Sequence, residues 1–254
     1  MQSSRLDEKF RTFFNNQDEK LGFLGWRDLI LAEYKLFMKV LIFRWAQYED
    51  SDRLSCSHWR GIIMRLHVHK KGFRALGISE SFIKGVSKES ILAGVVMRAD
   101  MIIDGFAFAK ATVGGMDATE KILEMYKNLR RDDISILLLN GCVISWYNVI
   151  DLHQIAEEIK LPLICVTYNE SKGLEKYFKE LFPQDWERRV EVYRKNKNRM
   201  AISLSTGHTV YVRFIGMKME EAKGILNKFT SHGSIPEPLR VARLLARSVV
   251  KDLT

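Results

Sequence analysis

A chain of 254 residues with 46% apolar and 11% aromatic residues can bury a sizeable core, which excludes disorder throughout. Its 40 Lys and Arg against 31 Asp and Glu give a formal net charge of +9, so polyanions, DNA or RNA first among them, are plausible partners. The three cysteines, Cys56, Cys142 and Cys165, are odd in number and follow no metal-ligand spacing, which fits a reducing cytoplasm.

The chain opens on polar residues without a signal-peptide pattern. Its most apolar window, Leu29 to Trp45, is interrupted by Glu33, Lys35, Lys39 and Arg44, so no membrane span is expected. From Trp26 to Trp45 the apolar residues recur as on an amphipathic helix. Residues 1–63 hold ten of the basic and nine of the acidic residues, leaving nearly all the positive excess further on. The pattern after Met64 makes a complete domain by itself. Two readings of residues 1–63 therefore stand: an over-long start assignment, or a helical extension that packs on a partner.

Beyond Met64, three apolar runs follow closely: Phe73 to Ser81, Ser90 to Met97 and Met101 to Val113. Short polar connections between them predict an antiparallel meander. Gly114-Gly115 breaks the third run, and Asp117, with Glu120 three residues on, reads as the capping box of a helix over Ala118 to Arg131. Ile134 to Leu139 is a continuous apolar run, predicted as a strand buried on both faces. A helix over Asn148 to Lys160 and a second buried strand over Leu161 to Tyr168 complete a parallel crossover.

Helices are predicted at Ser171 to Phe182 and Gln184 to Arg194, the second running into a polar, basic stretch, Arg194 to Arg199, read as a mobile loop. Thr209 to Ile215 alternates as a short strand. Helices at Glu220 to Phe229 and Glu237 to Lys251 close the chain, the last introduced by Ile235-Pro-Glu-Pro. The expected class is α/β: a mixed five-stranded sheet, three antiparallel strands then two parallel, flanked by helices.

That strand order is the order of the ribonuclease H fold. GISES at 77–81, GGMDATE at 114–120, LLLNG at 137–141 with NVID at 148–151, and IPEPLRVARLLA at 235–246 carry a closer resemblance. From Met64 onward the chain resembles the archaeal domain of unknown function 99 (uncharacterised protein family 0215), itself similar to endonuclease V. The resemblance implies an endonuclease V-like domain over residues 64–254. In that fold, strand-end carboxylates hold two divalent cations for phosphodiester cleavage. The family pattern places aspartate where this chain has Ser79, and aspartate before glycine where it has Asn140. Serine and asparagine offer neutral oxygens that neither bridge two cations nor offset their charge. The histidine expected soon after the aspartate–glycine pair has no counterpart here.

The reading is thus of a degenerate cleft at Ser79 and Asn140, nucleic-acid binding retained and the usual cleavage lost. The rival is a rearranged carboxylate site drawn from Glu80, Asp104, Asp117 and Glu120, with Asp151 nearby; magnesium or manganese enters only with that rival. The bland reading makes Asp117 and Glu120 helix caps and Glu80 a solvated residue. Ser79 and Glu80, being adjacent on a strand, point to opposite faces. Arg240, Arg243, Arg247 and Lys251 fall on one stripe of the last helix, a phosphate ridge or a solvated face. Arg188, Arg189, Arg194 and Lys195, near Trp186 and Tyr193, form a second basic cluster, a single-strand surface or a solvated face, and Trp146 with Tyr147 either lines the cleft to stack on a base or roofs the sheet. A third class is a protein-interaction module whose basic stripe meets an acidic partner.

Overall fold

A computed structural model describes residues 72–252. The helix expected at Trp26 to Trp45, the change of pattern at Met64 and the residues 1–63 lie outside the described residues.

The three antiparallel strands form as expected: β1 (Arg74–Ser81), β2 (Glu89–Arg98) and β3 (Ile103–Thr112). β1 pairs with β2 in antiparallel register and with β4 (Ile136–Asn140) in parallel. β4 in turn runs parallel to β7 (Leu163–Thr167). All but the last residue of β4 and β7 are buried, as their continuous apolar runs require of strands covered on both faces.

The sheet extends beyond the five expected strands. β9 (Thr209–Ile215) adds to β7 antiparallel, and β8 (Met200–Ser203) adds to β9. The complete order is β3-β2-β1-β4-β7-β9-β8. The four residues of β8 include one buried side chain, Ile202, too few for a period to register.

Two helical layers cover the sheet. On one face, Leu76 and Gly94 meet Met125 of α1 (Ala118–Leu129), which packs beside α2 (Leu152–Ile159). On the other, α5 (Met219–Phe229) and α6 (Glu237–Asp252) close a core of Ala75, Leu138, Val166, Val212, Ile225, Phe229 and Leu239. Between β7 and β8 the chain forms a helical hairpin, α3 (Glu175–Leu181) and α4 (Trp186–Lys195).

Three local expectations are corrected. The helix expected from Asn148 begins at Leu152, because Asn148–Val149 (β6) pairs with Val143–Ile144 (β5) and Asp151 caps α2 by accepting from the Gln154 N–H at 3.0 Å. Asp117 does not cap α1 through its side chain; its carboxylate turns to Thr112 and Asn148 instead. The basic stretch after α4 is anchored rather than mobile. Asn196 is buried, accepts from the Leu152 N–H at 2.9 Å and donates to the Ile150 carbonyl at 2.7 Å. Arg199 donates to the carbonyls of Asn169 and Ser171, each at 3.0 Å.

Candidate functional site at the strand ends

The parallel strands β1, β4 and β7 end side by side. Their register pairs Ile78 with Leu139 and Asn140 with Val166, so Ser79 and Asn140 are the next residues of neighbouring strands. By alternation both point to the face covered by α5 and α6. What meets them there is the first turn of α6. A Cβ on Gly77 would lie 2.5 Å from Pro238 Cβ, so only glycine lets the helix start sit this close to β1. Two residues on, Ser79 is 3% exposed and its hydroxyl donates to the Leu239 carbonyl at 3.0 Å. That side chain is bound into the fold.

Glu80 points the other way, toward the loop after β4. Burial is the largest influence on its carboxyl and raises it above the ordinary 4.5, offset in part by the Ser145 N–H and the charge of Arg243. One carboxylate oxygen is buried without a hydrogen-bond partner. The Tyr168 hydroxyl, just past β7, is also buried without a partner, and its phenol is pushed up by burial despite the same Arg243 charge. Glu80 is therefore not the solvated residue of the bland reading. Arg243 is the member of the α6 stripe whose charge reaches both groups.

The loop between β4 and α2 is strained. Ser145, Trp146 and Tyr147 have φ of 44°, 58° and 66°, three consecutive side-chain-bearing residues in the left-handed region. Neighbours hold it there. The Ser145 hydroxyl bonds the buried Ser90 hydroxyl, and the Ser145 carbonyl accepts from the Gly114 N–H at 2.7 Å. Arg189, 2% exposed, donates to the carbonyls of Gly114, Gly115 and Tyr147 at 2.7, 3.0 and 2.8 Å, with Asp185 as its counter-ion. Its guanidinium also stacks on Phe182, 3.8 Å from the ring centroid. Arg189 thus clamps two loops and is withdrawn from solvent. Trp146 is half-buried, with Lys84 Nζ 4.2 Å from its ring centroid and Tyr147 against its edge.

The remaining acids separate. Asp104 lies at the opposite end of the sheet from Glu80, bonded to Arg74 at 2.5 Å and Arg131 at 3.2 Å, which hold its carboxyl below the ordinary range. It takes no part in the cleft. Asp117 accepts from the Thr112 N–H at 3.1 Å, Thr112 Oγ1 at 2.8 Å and Asn148 Nδ2 at 2.7 Å. Desolvation is the largest single influence on it and acts upward, but these hydrogen bonds together bring the carboxyl below 3.8. Glu120 is exposed. Asp151 caps α2 and pairs with Lys195 at 2.6 Å. Among the described residues no three His, Cys, Asp or Glu side chains converge as a metal set.

Of the candidate basic residues, Arg188, Arg194, Lys195, Arg240 and Arg247 are exposed. Arg194 is paired with Glu175 at 2.5 Å, Lys195 with Asp151, and Arg240 with Glu237. Sequence reasoning missed Asn148, whose amide ties Asp117 and the Thr112 carbonyl while its oxygen takes the Ala118 N–H, capping α1 from 30 residues away. It also missed Arg213, which donates to Cys142 Sγ at 3.3 Å. A hydrogen bond from Cys165, followed by the Arg213 charge, holds the Cys142 thiol down to about 7.

The family model described as endonuclease dU matches residues 71–250. The chain belongs to the endonuclease dU family. Curated relatives include the UPF0215 protein of Pyrobaculum calidifontis, 37% identical over 180 residues that cover 70% of this chain and 98% of the relative. Another is the UPF0215 protein of Thermococcus gammatolerans, 32% identical, covering 71% of this chain and 94% of the relative. Among solved structures, a protein of unknown function from Archaeoglobus fulgidus superposes with a TM-score of 0.61 at 22% identity, covering 70% of this chain and 98% of that one. Endonuclease V of Streptomyces avermitilis superposes at 0.51 with 16% identity, covering 81% and 93%. The expected endonuclease V-like fold, a mixed sheet flanked by helices, is thereby shown for this endonuclease dU family member.

Proposed function

We propose that the chain is a nucleic-acid-binding member of the endonuclease dU family whose strand-end cleft no longer supports two-metal phosphodiester cleavage. The observation that carries this reading is Ser79. At the position where the family resemblance implies a carboxylate, a hydroxyl is sealed against the Leu239 carbonyl. Asn140 beside it is neutral, and Asp117 has its oxygens committed to Thr112 and Asn148. Among the described residues this leaves Glu80 near the strand ends, too little anionic oxygen for two hard cations. The residues present do not fit a two-cation centre.

Binding itself rests on the basic excess and on exposed cations such as Arg188 and Arg247, with half-buried Trp146 as a stacking surface. The family name supplies the substrate to try, deoxyuridine-containing DNA. Fluorescence anisotropy with single- and double-stranded DNA and RNA, with and without deoxyuridine, should show affinity that falls as salt rises. Gel assays in magnesium or manganese should show no cleavage.

One observation favours the rival. Glu80 keeps a buried oxygen without a hydrogen-bond partner, as a ligand side chain of a rearranged site would. Metal-dependent cleavage abolished by Glu80→Ala, or by Glu120→Ala, would establish that rival and overturn the proposal. Affinity no greater than that of a neutral control protein would refute the binding half.

A further inference from the structure

β3 is an edge of the seven-stranded sheet among the described residues. It is ten residues long, and Phe106 and Phe108 stand 51% and 49% exposed on it. They lie on the α6 side, because Ala107 between them faces Gly94 and Met125 on the α1 side. Next to Phe108 opens a shallow cleft of about 280 Å³, lined by Ile91, Phe108, Ala109, Lys110 and Val249. Long edges with exposed aromatic residues invite another strand unless something protects them.

The backbone shows which groups are on offer. In an antiparallel ladder a residue's N–H and C=O point to the same side. The Val113 N–H points inward, bonding the Lys88 carbonyl at 2.9 Å, whereas the Thr112 N–H turns outward to Asp117. Alternation then directs the N–H and C=O of Phe106, Phe108 and Lys110 to the open edge. Asp117 and Asn148 close that edge at Thr112, and a bulge interrupts the ladder at its other end, near Asp104.

We propose that this edge pairs with the same edge of a second copy of the chain, antiparallel about a two-fold axis through Ala107. The strand is complementary to itself in that register. Phe106 lies beside Phe108 of the partner subunit, and the axis repeats the contact. Lys110, already paired with Glu89 of its own chain at 2.9 Å, meets no like charge, and none meet between Ile103 and Thr112. The hydrogen-bonding phase also agrees, since Phe106 and Phe108 carry the outward groups and Ala107 is the crossing that needs none. A strand of unrelated sequence would satisfy the backbone without matching the aromatic positions. Pairing joins two seven-stranded sheets into one and leaves the strand ends of β1, β4 and β7 uncovered by the contact.

Sedimentation equilibrium on the full chain should reveal a monomer–dimer equilibrium. Phe106→Lys with Phe108→Lys should weaken it by at least about tenfold, while Val86→Lys, at another exposed apolar position, should leave it unchanged. Ala107→Cys gives a second measurement that does not remove the aromatic residues. Non-hydrogen-bonded pairs bring Cα atoms to about 4.5 Å, within disulfide reach, so oxidised glutathione should yield a covalent dimer from Ala107→Cys and not from Ala109→Cys. A monomer at every concentration without the disulfide overturns the proposal, whether the edge is then open or covered within the chain. So does a dimer that survives the double substitution and gives no 107–107 disulfide.

Discussion

Glu80 is buried as a carboxyl with one unbonded oxygen, and its protonation follows from that. The folded chain binds this proton more tightly than the unfolded chain does, because burial disfavours the charged form. Its contribution to stability is present below the ordinary carboxyl value of 4.5 and is lost as pH rises through the raised folded value. Glu80→Gln, neutral throughout, should leave Tm near pH 4 almost unchanged and raise it relative to the parent at about pH 8. A Tm difference that shrinks with rising pH would show that the carboxylate is satisfied as a charge. Asp117 behaves oppositely at the same loop junction, since its hydrogen bonds favour the anion. Neither environment is legible in the sequence. GISES and GMDATE mark both acids as notable, but burial of Glu80 by the Ser145 loop and the tie between Asp117 and Asn148 are made across long separations.

At the scale of elements, strands with continuous apolar runs were readable because burial on both faces leaves no polar alternation to interpret. The short ribbon Val143–Ile144 with Asn148–Val149 was not, because its residues also suit a helix and the Asn148 side chain is drawn to Thr112 and Asp117 instead. Arg189 shows the same limit. Within the run Arg188-Arg189 nothing local distinguishes the exposed guanidinium from the one that holds three loop carbonyls. Arg189→Met should therefore cost roughly 2–4 kcal/mol in urea denaturation, since it strands those carbonyls and releases the strained Ser145–Tyr147 segment. Arg188→Met should leave stability within about 0.5 kcal/mol. The seat of α6 on β1 is tested by Gly77→Ala. With no room before Pro238, the added methyl should destabilise by roughly 1–3 kcal/mol by the same measurement.

For the whole molecule, a net charge of +9 is meaningful only where the cations are free to meet phosphate. Surface ion pairs engage the exposed Arg194, Lys195 and Arg240, and the loop clamp buries Arg189, so part of the basic surface inferred from sequence is already paired within the chain. Exposed Arg188 and Arg247 should carry more of the binding. Alanine at either should lower the slope of log affinity against log salt by about one, whatever the sequence of the nucleic acid. Unchanged slopes in both variants would move the interface elsewhere. The contact between Ser79 and Leu239 spans 160 residues, and this has a consequence for how the molecule is made. β1 is synthesised early, yet the face of it that carries Gly77 and Ser79 waits for the last helix to emerge. Until then a core-facing strand surface stands open in a nearly finished chain. Folding that depends on so distant a closure is slow, and a chain ending at Ser234 should lose its cooperative melt because the face of β1 at Gly77 and Ser79 is left without its helix.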